Sequence, residues 1–278
     1  MSERIQRMEE FQAELRREER AEGTIAKYLR DSQAFLAWLG DGPLGKEMVA
    51  AWKGHLVKRG YAPVTINSML ASLHRYLHFL GREDCRVSFL KIQRRLFRAA
   101  ERELSREEYQ RLIQTASSQG KERLALLIET MGATGIRVSE VPYITLEAAR
   151  QGRAEVALKG KVRTILLPGK LCRKQKKYAK KQHLTCGEIF RTGKGRRLTR
   201  RQIWAEMKAL SAAAGVEATK VFPHNLRHLF AATFYRACRD LVRLADVLGH
   251  SSVETTRIYL VTTGQEHIRQ LNRLGLVE

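Results

Sequence analysis

Acid and cysteine are both scarce in this chain of 278 residues. Asp and Glu number 29 against 51 Lys and Arg, giving a formal net charge of +22 and a pI near 10.3. A surface that positive repels itself, so a polyanionic partner is expected, and nucleic acid is the first candidate. No apolar run is long enough to cross a bilayer, and the basic residues do not gather on one amphipathic helix, which argues against a membrane-surface role. The opening residues "MSERIQRMEE" are charged throughout and have no apolar signal core, so a cytoplasmic location is expected. Cys85, Cys172, Cys186 and Cys238 are widely separated, with no C-x-x-C pair. They read as reduced thiols, not as a disulfide frame or a zinc site. There is no internal repeat or low-complexity tract. "GEIFRTGKG" comes nearest to a phosphate-binding loop, but its glycine spacing is wrong and no Ser or Thr follows the Lys, so a nucleoside triphosphatase is not expected.

What is abundant is helical periodicity. In "TIAKYLRDSQAFLAWLG" the residues Ile25, Tyr28, Leu29, Phe35, Leu36 and Leu39 keep the 3.6-residue period, with Thr24 as N-cap and Gly40 as stop. Met48, Trp52 and Leu56 repeat the pattern up to Gly60. Ile66, Met69, Leu70, Leu73, Leu77 and Leu80 repeat it between Thr65 and Gly81. A shorter helix is expected from Val87 to Leu96, completing a four-helix module. Ser68, Ser72 and Arg75 lie one turn apart on the third helix, and spacing alone reads them as a solvated face. Residues 93–103, "QRRLFRAAERE", carry many charges and no apolar stripe, and read as a linker between domains at 1–92 and 104–278.

The second domain opens with Ser105 and Glu108 as a capping box. Leu124 to Met131 reads as a buried helix ended by Gly132 and Gly135. "AEVALKGKVRTILLPG" reads as two short strands about a tight Lys-Gly-Lys turn, a hairpin. From Lys170 to Arg201 there are thirteen Lys or Arg and one acid, Glu188, too lopsided for a merely solvated face. Helices resume at "TRRQIWAEMKALSAAAG" and continue onward. The expected fold is mainly α with a small antiparallel sheet, an α+β domain preceded by an all-α one.

The chemistry gathers in "FPHNLRHLFAATFYRACRDLVRLADVLGHSSVETTRIY". Pro223 suits a first helical turn, and His224 and Arg227, three apart, share a face near that N-terminus, where an anion is favoured. His224 and His228 have zinc-like spacing, but Asn225 stands where a metalloprotease needs Glu and no third ligand is evident. Gly249 ends a helix, His250 follows, and Ser251 with Glu254 forms a capping box for the helix carrying Tyr259. Upstream, "ATGIRVSE" sets Arg137 after a glycine-ended helix, with Ser139 and Glu140 able to buttress it. Two arginines, two histidines, a hairpin lysine and a tyrosine are what phosphoryl transfer without a metal requires. Cations hold the phosphate oxygens, and a hydroxyl forms a covalent ester.

The motifs "ATGIRVSEV", "LKGKVRTILLPG", "HNLRHLFA" and "LGHSSVETTRIY" resemble, in order and spacing, those of the tyrosine recombinase (phage integrase-like) family. The resemblance covers the whole second domain, and the N-terminal helices are similar to the family's core-DNA-binding module. It implies that Arg137 and Arg227 clamp the scissile phosphate, that His250 donates to it, and that His224 positions it or accepts a proton. Tyr259 would attack phosphorus, leaving a 3′-phosphotyrosine. Lys159 would protonate the departing 5′ oxygen, with Lys161 as rival for the role. No cofactor is implied, because exchanging a phosphodiester for a phosphotyrosine conserves bond energy.

The same resemblance makes Lys27, Arg30, Ser68, Ser72 and Arg75 candidate DNA contacts, joined by Arg173, Lys174 and Lys177 of the basic run. It implies double-stranded DNA with inverted-repeat core sites, a tetramer on synapsed sites, and DNA-bending accessory proteins as optional partners. The apolar residues Ile268, Leu271, Leu274 and Leu276 of 264–278 would dock on a neighbouring subunit by the family's habit, with packing on their own domain as the alternative. With no further domain ahead of the helices, separate arm-type DNA sites are not expected. Asn225, Leu229, Pro142 and "RACRD" depart from the family pattern without touching the catalytic set, and so bear on subfamily. A type IB topoisomerase-like enzyme and a non-catalytic DNA-binding protein are the alternatives.

Overall fold

Met8, Phe11 and Leu15 fall at intervals of three and four, one stripe of a helix. In the computed structural model, which describes residues 2–92, 103–158, 161–250, 252–257 and 272–273, they are buried on α1 (Ser2–Arg17). Three more helices face the same core: α2 (Glu22–Leu39) through Ile25 and Phe35, α3 (Lys46–Lys58) through Val49 and Trp52, and α4 (Pro63–Phe79) through Leu70 and Leu77. The four-helix module is present, but its fourth helix is α1 and not the one expected over 87–96. After a short 3-10 turn (Glu83–Cys85), residues 86–92 carry no helix, and 93–96 lie outside the described residues. Side chains of α4 take up that segment's backbone instead. Leu90 N–H donates to Asn67 Oδ1 at 2.8 Å, Asn67 Nδ2 donates to the Leu90 carbonyl at 2.9 Å, and Val87 N–H donates to His74 Nε2 at 3.4 Å.

Two expected caps move as well. α2 starts after Ala21, which puts Thr24 inside its first turn. α4 starts at Pro63, whose fixed φ and missing N–H suit the first helical position better than Thr65 does. The polar face of α4 is also less solvated than its spacing suggests. Ser72 is fully buried, and its hydroxyl donates to Asp31 Oδ2 at 2.9 Å. Lys27 Nζ donates to Asp31 at 2.6 Å, to Ser72 Oγ at 2.8 Å and to the Ser68 carbonyl at 3.0 Å, joining α2 to α4.

The chain divides into two compact units, Met1–Arg94 and Arg95–Glu278. In the second, α5 (Arg106–Ser118) carries the expected capping box: Glu108 N–H donates to Ser105 Oγ at 3.1 Å, and Ser105 N–H to Glu108 Oε2 at 2.8 Å. α6 (Glu122–Thr134) buries Leu127, Ile128 and Met131 and stops at Gly135. Gly132 does not end the helix. It sits inside, where a Cβ would come 2.6 Å from the Tyr109 ring.

A 3-10 turn (Val138–Tyr143) and α7 (Leu146–Gln151) lead into the antiparallel hairpin of β1 (Arg153–Leu158) and β2 (Lys161–Leu166). Leu158 pairs with Lys161, and the intervening Lys159 and Gly160 lie outside the described residues. The basic run contains a helix that its charges hid, α8 (Gly169–Lys181), which buries Leu171, Cys172, Gln175 and Ala179 and exposes its lysines. α9 (Arg200–Leu210) is capped by Thr199 and Gln202. It is followed by a 3-10 turn (Ala218–Lys220), then α10 (Pro223–Cys238), α11 (Leu241–Leu248) and α12 (Val253–Arg257). Among the described residues no helix is long and apolar enough to cross a membrane.

Candidate active site

Two helix ends fix the site. α6 ends at Gly135 (φ 63) and α11 at Gly249 (φ 64), both in the left-handed conformation that glycine adopts without penalty. The chain turns sharply after each, delivering Arg137 from one side and His250 from the other. Arg137 is anchored by Glu140: its backbone N–H donates to Oε2 at 2.7 Å and its Nη1 to Oε1 at 3.1 Å. Glu140 is only 2% exposed, so this carboxylate is a fixed post. The expected buttress from Glu140 is therefore present.

Arg227, one turn into α10, is 1% exposed. Its Nη1 donates to the Gly135 carbonyl at 2.5 Å and its Nη2 to the Leu248 carbonyl at 2.8 Å, joining the two glycine-ended helices. The same Nη2 lies 2.8 Å from His250 Nε2. A guanidinium only donates, so Nε2 accepts, and the imidazole proton sits on Nδ1. That places Nδ1–H as donor to Thr256 Oγ1, 2.7 Å away, on α12. Burial, then the charges of Arg227, Arg137 and Arg163, push His250 down to about 4, leaving it neutral at physiological pH. His224 is exposed and meets His228 edge to face, with ring centroids 4.8 Å apart. It is also the smallest of the causes that lower the proton affinity of His250.

Sequence reasoning passed over Arg163. Its Nη2 donates to Glu140 Oε2 at 2.8 Å and its Nη1 to the Leu248 carbonyl. On β2 it alternates inward with Ile165 while Val162, Thr164 and Leu166 face out. An arginine on the buried side of a strand was the available signal. Burial, then repulsion from Arg227 and Arg137, outweighs Glu140 and lowers it to about 10, still charged at neutral pH. Thr256, fully buried, was missed too; nothing in "TTRIY" singles it out.

The structure thus brings Arg137, Arg227 and His250 together. Lys159 and Tyr259 lie outside the described residues, as does Ser251; the hydroxyl seen accepting from Glu254 N–H, at 3.2 Å, is that of Ser252. Of the other candidates, Arg30 is 74% exposed with its guanidinium on Asp31. Arg75 is tucked between α1 and α4, paired with Glu18 and 6.0 Å over the Phe11 ring. Ser68 is half-buried, its carbonyl held by Lys27. Arg173, Lys174 and Lys177 are exposed on α8, Lys174 with Glu129 at 2.6 Å.

Residues 102–266 match the phage integrase family, and residues 8–84 match the phage integrase N-terminal SAM-like domain. Tyrosine recombinase XerA of Thermococcus kodakarensis is 30% identical, over 97% of this chain and 95% of its own. XerD of Vibrio cholerae is 28% identical, over 91% and 89% respectively. The fold is similar to that of a lambda integrase tetramer bound to a Holliday junction, with a TM-score of 0.73 and 17% identity over 92% of this chain and 76% of that one. On the extent of these matches, the chain belongs to the phage integrase family and is a tyrosine recombinase, a site-specific DNA strand-transferase that works through a tyrosine nucleophile.

Proposed function

We propose that Tyr259 is that nucleophile and that the cradle of Arg137, Arg227 and His250 holds the scissile phosphate of duplex DNA. The phenol oxygen forms a bond to phosphorus as the bond to the 5′ oxygen breaks. Lys159 gives that oxygen its proton, with Lys161 as the alternative donor, and the exposed His224 takes the phenolic proton. One P–O bond replaces another, so no ATP is consumed, and fixed guanidinium groups do the charge stabilisation a divalent ion does elsewhere. The observation that carries this reading is Arg227. It is wholly buried, yet held by helix-ending carbonyls and turned toward His250. A phosphate arriving there offsets the arginine charges that depress His250, raising its proton affinity so that Nε2 changes from acceptor to donor.

The DNA partner is a core site with inverted repeats, bound by the exposed basic face of α8 and by Arg30. Within the first unit, Lys27, Ser72 and Arg75 act behind Arg30, positioning α2 and α4. Self-association to a tetramer on synapsed DNA follows the lambda integrase assembly, with DNA-bending accessory proteins as further partners and the cytoplasm as the place of action. The expected docking tail, 264–278, lies outside the described residues apart from 272–273. The test is a nicked suicide duplex mixed with the protein and examined for a denaturant-resistant adduct. Tyr259→Phe should abolish the adduct and Tyr235→Phe should not; the reverse outcome refutes the assignment.

A further inference from the structure

Arg163 has no place in that scheme, yet it is a hairpin residue that reaches the cradle. Its guanidinium spans two acceptors on different segments, the Glu140 carboxylate and the Leu248 carbonyl. Leu248 also receives Arg227, and Glu140 also receives Arg137. The chain around Leu248 is shaped to admit it: a Cβ on Gly249 would lie 2.5 Å from Arg163 Cδ and 2.6 Å from its Nη1. Arg137 has its own hold on Glu140 through two bonds that do not involve Arg163. The hairpin has a different dependence. Lys161 opens β2 two residues before Arg163, and Lys159 lies two residues earlier in the sequence, so the residue that ties β2 to the cradle fixes the strand on which both lysines depend.

We infer that Arg163 is a positioning residue for leaving-group protonation: by tying β2 to Glu140 and to the Leu248 carbonyl, it fixes the strand that Lys161 opens and Lys159 precedes in sequence. This rests on the reading that a hairpin lysine supplies the proton. It predicts a defect in one chemical step and not in binding. Without the tie, the P–O bond to the 5′ oxygen must break with its proton poorly delivered. A sulfur in that bridging position removes the need, because a thiolate departs without a proton.

The experiment times single-turnover cleavage on a suicide duplex carrying the site recovered from the adduct, and on the same duplex with 5′-bridging sulfur. Arg163→Gln should slow cleavage of the oxygen substrate by about 10²-fold, the size of a lost general-acid contribution, and leave DNA affinity within about threefold. On the sulfur substrate the deficit should shrink to about threefold or less, as it should for Lys159→Ala or Lys161→Ala, whichever lysine is the acid. Rescue of the lysine variant but not of Arg163→Gln would overturn the positioning role while leaving the acid assignment standing. Rescue of neither lysine variant would remove the acid assignment and this inference with it. Should Arg163→Gln fail to fold, Arg163→Lys keeps the charge but cannot span both acceptors. It should show a smaller deficit that sulfur again erases; wild-type rate on the oxygen substrate would overturn the inference.

Discussion

Replacing Glu140 by Gln tests the electrostatic core of the site with almost no change of shape. The carboxylate is 3% exposed and receives Arg137 Nη1 at 3.1 Å, Arg137 N–H at 2.7 Å and Arg163 Nη2 at 2.8 Å. An amide offers one oxygen where the carboxylate offered two, so its NH2 must face one of these donors. Removing one partner of a buried ion pair costs about 3–5 kcal/mol. Arg137 is 42% exposed and can rehydrate, while Arg163 at 15% cannot, which favours the lower end, about 3 kcal/mol. For a unit spanning 95–278 this corresponds to a fall in Tm of about 6–12 °C, read by near-UV circular dichroism. Adduct formation should fall by about 10- to 100-fold, because Arg137 loses its post. The double variant Glu140→Gln/Arg163→Met removes both buried charges and should be at least about 1 kcal/mol more stable than the sum of the single effects. A Tm change below about 2 °C, or strict additivity, would refute the reasoning.

Asp31 is 3% exposed beneath Lys27, Ser72 and Arg30, so Asp31→Asn should destabilise the first unit by about 2–4 kcal/mol in urea; a loss under about 0.5 kcal/mol would show that the knot contributes little. Burial opposes ionisation of Asp31, but its bonds from Lys27, Ser72 and Arg30 outweigh that and hold its pKa below the ordinary value, so this stability should fade only in acid. His250, at about 4 when folded against 6.5 normally, binds its proton more readily in the unfolded chain. Wild-type stability should therefore drop from pH 6.5 toward 4 more steeply than that of His250→Asn, and parallel pH curves from thermal melts would count against the neutral buried ring. On α8, Arg173→Ala and Lys177→Ala should each reduce the slope of log Kd against log salt by about one; an unchanged slope removes that face from the DNA surface.

The elements read correctly from sequence were those whose signal is local. Ser105 and Glu108 cap their helix because the side chains that bond are three residues apart. Gly135 and Gly249 end theirs in a left-handed backbone conformation that glycine adopts without penalty, a property of the residue itself. Apart from the local misreadings at Thr24, Thr65 and Gly132, what failed to show was long-range. The extended course of 86–92 depends on Asn67 and His74, twenty-three and thirteen residues away from their partners, and no window on the segment itself contains that information. The apparently solvated face of Ser68, Ser72 and Arg75 is partly internal because Asp31 on α2 and Glu18, in the turn after α1, come to meet it. Glu140 was legible as a local buttress of Arg137, whereas its second arginine arrives twenty-three residues later from a strand.

The way the site balances charge follows from the two glycine-ended helices. Arg137, Arg163 and Arg227 converge with His250 neutral, and Glu140 is a carboxylate that serves two of them, Arg137 and Arg163. Arg227 donates to the carbonyls of Gly135 and Leu248, at the C-terminal ends of α6 and α11, where aligned peptide dipoles leave about half a negative charge. A carboxylate in place of either carbonyl would hold Arg227 more strongly, but it would also repel the incoming phosphate with a full charge. Dipoles hold the cation and leave most of its field directed at the substrate. An acid introduced beside Arg227, such as Ala231→Asp one turn along α10, should for that reason impair cleavage more than it impairs DNA binding.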